Sequence, residues 1–137
     1  MIAIDTNVLI SYLIQPVDKN NPAWQVEQAI KLIDSADFVF LSDIVIAEFE
    51  WVLESVFACT RKEIWHSVSV LAGNQKFKFE SWSALQCALM DYREYSQVDL
   101  SDCLIARRAK DIGCDSLYTF ESRAKLGGTP CATTLTK

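Results

Sequence analysis

Histidine is almost missing from this chain: His66 is the one copy in 137 residues. It sits between Trp65 and Val68 in a helical pattern, where solvation or helix packing is its expected role. A Ser-His-Asp triad would have to use it, and no G-x-S-x-G elbow accompanies it, which argues against such a hydrolase. There is no P-loop and no G-x-G-x-x-G, so nucleotide binding lacks its usual cradle. Cysteine pairs are missing too. Cys59, Cys87, Cys103, Cys114 and Cys131 are scattered and odd in number, and no two form C-x-x-C. That argues against a disulfide framework and against zinc, and leaves small thiols in a reducing compartment. No apolar run is long enough to span a bilayer, and no basic start leads into an apolar stretch and a cleavage site. The expectation is a soluble, cytoplasmic protein with no membrane partner. Excess positive charge is also lacking: the net charge is −5. A protein that merely coats nucleic acid is usually basic, because phosphate contacts supply most of its affinity. An acidic nuclease remains open, since bound metal ions bring positive charge to the point of contact.

What is present is enough apolar residue, half of the total, for one compact domain over residues 1–137. Ile2-Ala3-Ile4 and Phe38-Val39-Phe40-Leu41 read as buried strands, Phe77 to Phe79 as a weaker one, and Leu117 to Phe120 as another. The last residues suit an edge strand, after a turn at Gly127-Gly128-Thr129-Pro130. Between them lie helical patterns. Val8, Leu9, Tyr12 and Leu13 repeat at helical spacing, and Gln15 to Asn21, with Pro16, reads as a loop. Asn21-Pro22 suits a cap followed by proline at the first helical position, ahead of the stripe Val26, Ala29, Ile30 and Ile33. Ser42 caps a helix to about Phe57, and Thr60 with Glu63 forms a capping box for one ending near Gly73. Ser81 opens a helix to about Tyr95. Asp99 caps the next, which Gly113 ends in a left-handed conformation. Strands alternating with helices imply an α/β fold with a central, mostly parallel sheet covered by helices.

In such a sheet ligands bind beyond the carboxyl ends of the strands. Asp5 follows the first strand and Glu121 follows the Leu117 strand. The helices carrying Glu48 and Asp102 are expected to present their N-terminal turns at that same edge. Asp102 precedes Ile105 and Ala106 by one turn, and Asp99 lies on the same side. Glu48 has Ile44 and Val45 one turn before it and Trp51 and Val52 one turn after, which predicts a buried face. Taken singly, Asp5 can end a strand in a turn, and Asp99 with Asp102 can be an acidic capping pair. Together the acids form a cluster costly in desolvation and repulsion, which a divalent cation relieves. Oxygen ligands without His or Cys favour Mg²⁺ or Mn²⁺. Such a site activates water and stabilises in-line displacement at a phosphodiester. Trp24, Trp51, Trp65 and Trp82 are expected in the core or at a subunit interface. Arg107, Arg108 and Lys110 are expected on the outer face of their helix, solvated or touching phosphate.

Ile-Asp-Thr-Asn-Val-Leu (4–9), Glu48 ahead of Trp51-Val52-Leu53, Val-Asp-Leu-Ser-Asp-Cys-Leu-Ile-Ala (98–106) and Tyr-Thr-Phe-Glu (118–121) resemble a PIN-domain ribonuclease. They are most similar to the VapC-type toxins of bacterial toxin–antitoxin pairs. The resemblance spans nearly the whole chain, in the family order. It implies a three-layer α/β/α fold and metal-dependent endoribonuclease activity. It places metal ligands at Asp5, Glu48 and Asp102 and a fourth catalytic acid at Glu121. Asn7, Asp99 and Thr119 are implied as supporting residues. Glu121 departs from the family, which usually has Asp after Thr-Phe. The resemblance further implies an RNA substrate, a homodimer, and a small cognate antitoxin that blocks the acidic pocket. Two other readings stay open: a PIN-like module kept for protein contacts, and a metal-dependent phosphohydrolase acting on DNA or phosphate esters.

Overall fold

Strand β1 (Ile2–Ala3) lies parallel to β2 (Val39–Leu41), with Ile2 beside Val39 and Ala3 beside Phe40. On its other side β2 takes β3 (Phe77–Phe79), again parallel. A second parallel pair joins β4 (Leu117–Thr119) to β5 (Ala132–Thr134). This computed structural model describes residues 1–14, 17–19 and 21–137. Of the loop expected from Gln15 to Asn21, positions 15, 16 and 20 lie outside the described residues. Parallel neighbours need long crossovers. Here these are the helices α1 (Thr6–Leu13), α2 (Ala23–Ser35), α3 (Asp43–Ser55), α4 (Arg61–Ala72), α5 (Trp82–Glu94) and α6 (Leu100–Ile112). Helices and parallel strands together form the expected three-layer α/β/α arrangement. The weak candidate Phe77–Phe79 and the suspected edge strand near the C-terminus are both strands.

The caps explain where most helices begin. Ser42 accepts from the Val45 amide at 3.2 Å, and Thr60 and Glu63 form the reciprocal capping box. Gly113 closes α6 at φ 101°, a conformation that favours glycine. One cap differs from expectation. Asn21 turns its side-chain amide back to the Ile14 carbonyl, so Pro22 takes the N-cap position and α2 starts at Ala23.

The core is built on β2, whose Val39 and Leu41 are fully buried, together with Leu9, Ile33, Ile46, Phe49, Leu53, Leu85 and Leu100. Most of the tryptophans, expected in the core or at a subunit interface, are not in the core. Trp24, Trp51 and Trp82 are more than half exposed, and only Trp65 packs against the core, partly buried. All five cysteines are free: Cys103 and Cys131 are buried, Cys59 and Cys87 half-buried, Cys114 exposed. Among the described residues no helix is long and apolar enough to cross a membrane.

The segment between β4 and β5 holds a 3-10 turn, Leu126–Gly128, pressed against its surroundings. A Cβ on Gly128 would stand 1.9 Å from the Arg123 carbonyl oxygen, and one on Gly127 would stand 2.6 Å from the Glu121 carbonyl oxygen. Both obstacles are backbone and cannot rotate away. Gly128→Ala is therefore expected to destabilise the protein by about 1–3 kcal/mol, as overpacking does, in a urea melt. An unchanged midpoint would show that this segment is looser than described.

Candidate active site

Helix α3 buries Ile46, Phe49, Glu50 and Leu53, a stripe at helical spacing. Ile44 and Trp51, expected to mark the buried face, are 71% and 66% exposed, and Glu48 is exposed with them. The predicted burial of Glu48 is thus corrected. Two residues along a helix is a rotation of about 200°, so the buried glutamate is the neighbour on the opposite face, Glu50. The signal was present in the sequence: Ile46, Phe49 and Leu53 give a better stripe around Glu50 than Ile44 and Trp51 give around Glu48.

Glu50 is 4% exposed, and its two carboxylate oxygens accept from the Leu100 amide at 2.6 Å and the Ser101 amide at 2.8 Å. Those amides belong to the first turn of α6, where unpaired N–H groups and the helix dipole favour a negative charge. Burial pushes the Glu50 carboxyl up; the Ser101 and Leu100 donors pull it back without cancelling the rise. The consequence falls on Asp99. It occupies the N-cap position of α6, yet its side chain makes no cap hydrogen bond. The expectation that Asp99 caps the helix is replaced by a cap supplied from α3, and the exposed Asp99 carboxylate is released from that duty.

Asp102 lies half-buried in the first turn of α6, at the margin of the face formed by Cys103, Leu104 and Ala106. Burial raises its carboxyl above the ordinary range, and the negative charges of Glu121 and Asp99 raise it further. Glu121 follows β4. Its amide donates to the Thr119 hydroxyl oxygen at 3.0 Å, and its carbonyl accepts from the Thr134 hydroxyl at 2.7 Å. Thr119 therefore holds the backbone of Glu121. Asp5 caps α1 through one oxygen, which accepts from the Val8 amide at 3.2 Å. With Asn7 it also lines a groove of about 350 Å³ between α1 and α2. The structure thus brings Asp99 and Glu121 within reach of the charge of Asp102. Among the described residues, no three such side chains are drawn together into a ready metal cage.

Two arginines of α6 hold other acids. Arg107 grips the buried Asp91 through two bonds, 2.6 and 2.9 Å. Arg108 binds Asp43 at 2.8 Å and approaches Asp111 and Glu80. Neither is the solvated or phosphate-ready cation expected of the outer face of α6. Asp43, Glu80, Asp91 and Asp111 therefore have cationic partners. Among the described residues Asp5, Glu48, Asp99, Asp102 and Glu121 have none, as is also true of exposed acids such as Glu27, Asp37 and Glu54; Asp102 alone of these is half-buried. His66 is exposed on α4, as expected. Burial pushes the Cys103 thiol up to about 12, so the thiol next to Asp102 is not a thiolate nucleophile at neutral pH.

A model of the PIN domain matches residues 2–126. The chain belongs to the PIN domain family. Comparison with curated proteins gives no match. PIN domains are in general nucleases, hydrolases that act on nucleic acid and use divalent metal ions. The residues here fit such an ion. The donors are all carboxylate oxygen, and half-buried Asp102 faces two further negative charges with no cation to offset them.

Two predictions follow from these contacts. Glu50→Ala leaves two helix-end amides without their acceptor and is expected to cost about 1–3 kcal/mol. Asp99→Ala is expected to cost little in the wild-type background, within about 0.5 kcal/mol. In the Glu50→Ala background Asp99 can return to the cap, and its removal is expected to cost about 1 kcal/mol. Strict additivity in denaturant melts would show that Glu50 does not stand in for Asp99. The second prediction concerns pH. A carboxyl raised in the folded state favours folding below its unfolded value and loses that contribution as pH rises through the folded value. Metal-free Asp102→Asn is therefore expected to melt above metal-free wild type at neutral pH. The gap should narrow as pH falls through the raised folded-state value and the wild-type carboxyl takes up its proton. A lower melting point for the variant at neutral pH would contradict this.

Proposed function

We propose that this protein is a Mg²⁺- or Mn²⁺-dependent endoribonuclease that hydrolyses RNA phosphodiester bonds, and that it is the toxin of a toxin–antitoxin pair. The carrying observation is the division of the acids. Among the described acids that are not exposed, Asp43 and Asp91 are paired with arginine and Glu50 with helix-end amides, whereas half-buried Asp102 has no cation and faces the charges of Glu121 and Asp99. The order of the motifs around Asp5, Glu48, Asp102 and Glu121, and their similarity to VapC-type toxins, supports the finer reading.

In this reading Asp5, Glu48 and Asp102 hold the metal. A divalent ion held there would lower the pKa of a bound water and offset the negative charge that builds on the phosphoryl oxygens. Asp102 contributes a carboxylate already raised toward protonation and therefore strongly favoured by a nearby positive charge. Glu121, anchored through Thr119 and Thr134, orients water or metal from the end of β4. Asp99, freed by Glu50, adds an acid at the start of α6. Asn7 supplies a neutral polar group beside Asp5. The unit acts over residues 1–137 as a homodimer in the cytoplasm, and a small antitoxin neutralises it by occupying the acidic site.

Asp5→Asn is expected to lower the rate of Mn²⁺-supported RNA cleavage by at least about 100-fold, with the fold retained. The assay sets RNA, DNA and a simple phosphate ester side by side. Cleavage of RNA at equal rates by variant and wild type would defeat the assignment of Asp5. Faster turnover of DNA or of the ester would defeat the assignment of RNA.

A further inference from the structure

Where a nucleic-acid strand touches this acidic chain is a separate question from where it is cut. Arg107 and Arg108 are spent on carboxylates. Among the described residues Arg61, Lys62 and Arg93 have no carboxylate partner, and all three line one pocket with Trp65 and Tyr92. Its volume is about 310 Å³. In a protein of net charge −5 this is a local concentration of positive charge beside two aromatic rings.

The walls are held in place. The Arg61 guanidinium lies 3.9 Å from the Tyr92 ring centre. It donates to the carbonyls of Val98 at 2.8 Å, Tyr95 at 3.1 Å and Tyr92 at 2.5 Å. The Trp65 indole N–H donates to the Leu89 carbonyl at 3.2 Å, which ties its ring to α5. The Arg93 guanidinium sits 4.9 Å from the Trp65 ring centre and is the exposed member of that pair. Lys62 precedes Trp65 by three residues on α4 and so shares its face. Glu63, the nearest acid on α4, is engaged in the capping box with Thr60.

We propose that this pocket binds one nucleotide of single-stranded RNA. The base stacks on the Arg93–Trp65 pair, and the phosphate meets Lys62 and Arg93. Stacking on aromatic rings or guanidinium planes, with cations along the backbone, is how unpaired strands are held. A duplex hides its base faces, and a cleft of this size is at the small end of ligand sites, which suits one splayed nucleotide. The location ties the pocket to the candidate acids: the carbonyl that Arg61 holds on Val98 is one residue from Asp99. The assignment rests on the endoribonuclease reading, but its test does not use cleavage.

The test uses full-length protein carrying Asp5→Asn and a labelled single-stranded oligoribonucleotide, followed by fluorescence anisotropy. Lys62→Glu with Arg93→Glu is expected to weaken binding by about tenfold or more and to lower the salt dependence by about two. The charge-matched pair Lys31→Glu with Lys137→Glu, both on the exposed surface, is expected to change affinity less than about threefold, the modest screened effect of distant charge. Arg93→Lys keeps the charge but loses the flat stacking plane; affinity should fall while the salt dependence stays. Equal losses in the two charge-matched double variants would overturn the pocket. So would the absence of nucleic-acid binding, or binding of polyglutamate in place of RNA. If the protein prefers the same sequence as DNA, the RNA reading fails, and the loss in Lys62→Glu/Arg93→Glu measured on DNA decides the pocket on its own.

Discussion

The contact that orders the rest is the Glu50 carboxylate on the first two amides of α6. A carboxylate in the core is rare and costly unless it is paired. Here the partners are the free N–H groups at a helix end, whose own burial would be costly without an acceptor. Each group answers the other's need, and the result is a fixed register between α3 and α6. Those helices carry Glu48, Asp99 and Asp102. Because the cap comes from another helix, α6 begins without drawing on Asp99, and that carboxylate is left for the site.

The same economy of charge runs through the molecule. Arginine neutralises Asp91 where it is buried, and Arg108 holds Asp43, with Glu80 and Asp111 close by. At the start of α6 the pattern stops. Asp102 is half-buried, faces Asp99 and Glu121, and has no cation among the described residues. The other described acids that are not exposed, Asp43, Glu50 and Asp91, all have partners, so half-buried Asp102 marks the place where positive charge from outside the chain is stabilising. That is the physical content of membership in a family of metal-dependent nucleases.

The fold was legible because its signals are local. Strand runs, the Thr60–Glu63 box, Ser42, and the glycine ending α6 are each read from a few adjacent residues. The helix face of Glu48 was not, because Ile44, Val45, Ile46, Phe49, Trp51, Val52 and Leu53 surround α3 with apolar residues on more than one side. With several stripes available, tertiary packing chooses, and it chose the one containing Glu50. The roles of Arg107 and Arg108 were hidden for a different reason: their partners Asp91 and Asp43 are far away in sequence. The cap on α6 was misread in the same way, since Glu50 reaches it across 50 residues. Long-range polar pairing is what a single sequence does not display.

The central claim is that Asp5, Glu48 and Asp102 hold a divalent metal ion. The most direct measurement is a calorimetric titration of Mn²⁺ into metal-free wild-type protein, with melting temperature followed in parallel. Saturable binding below about 1 mM, with a melting temperature that rises as the site fills, is the predicted result. No heat of binding and an unchanged melting temperature up to about 10 mM Mn²⁺ would contradict the account.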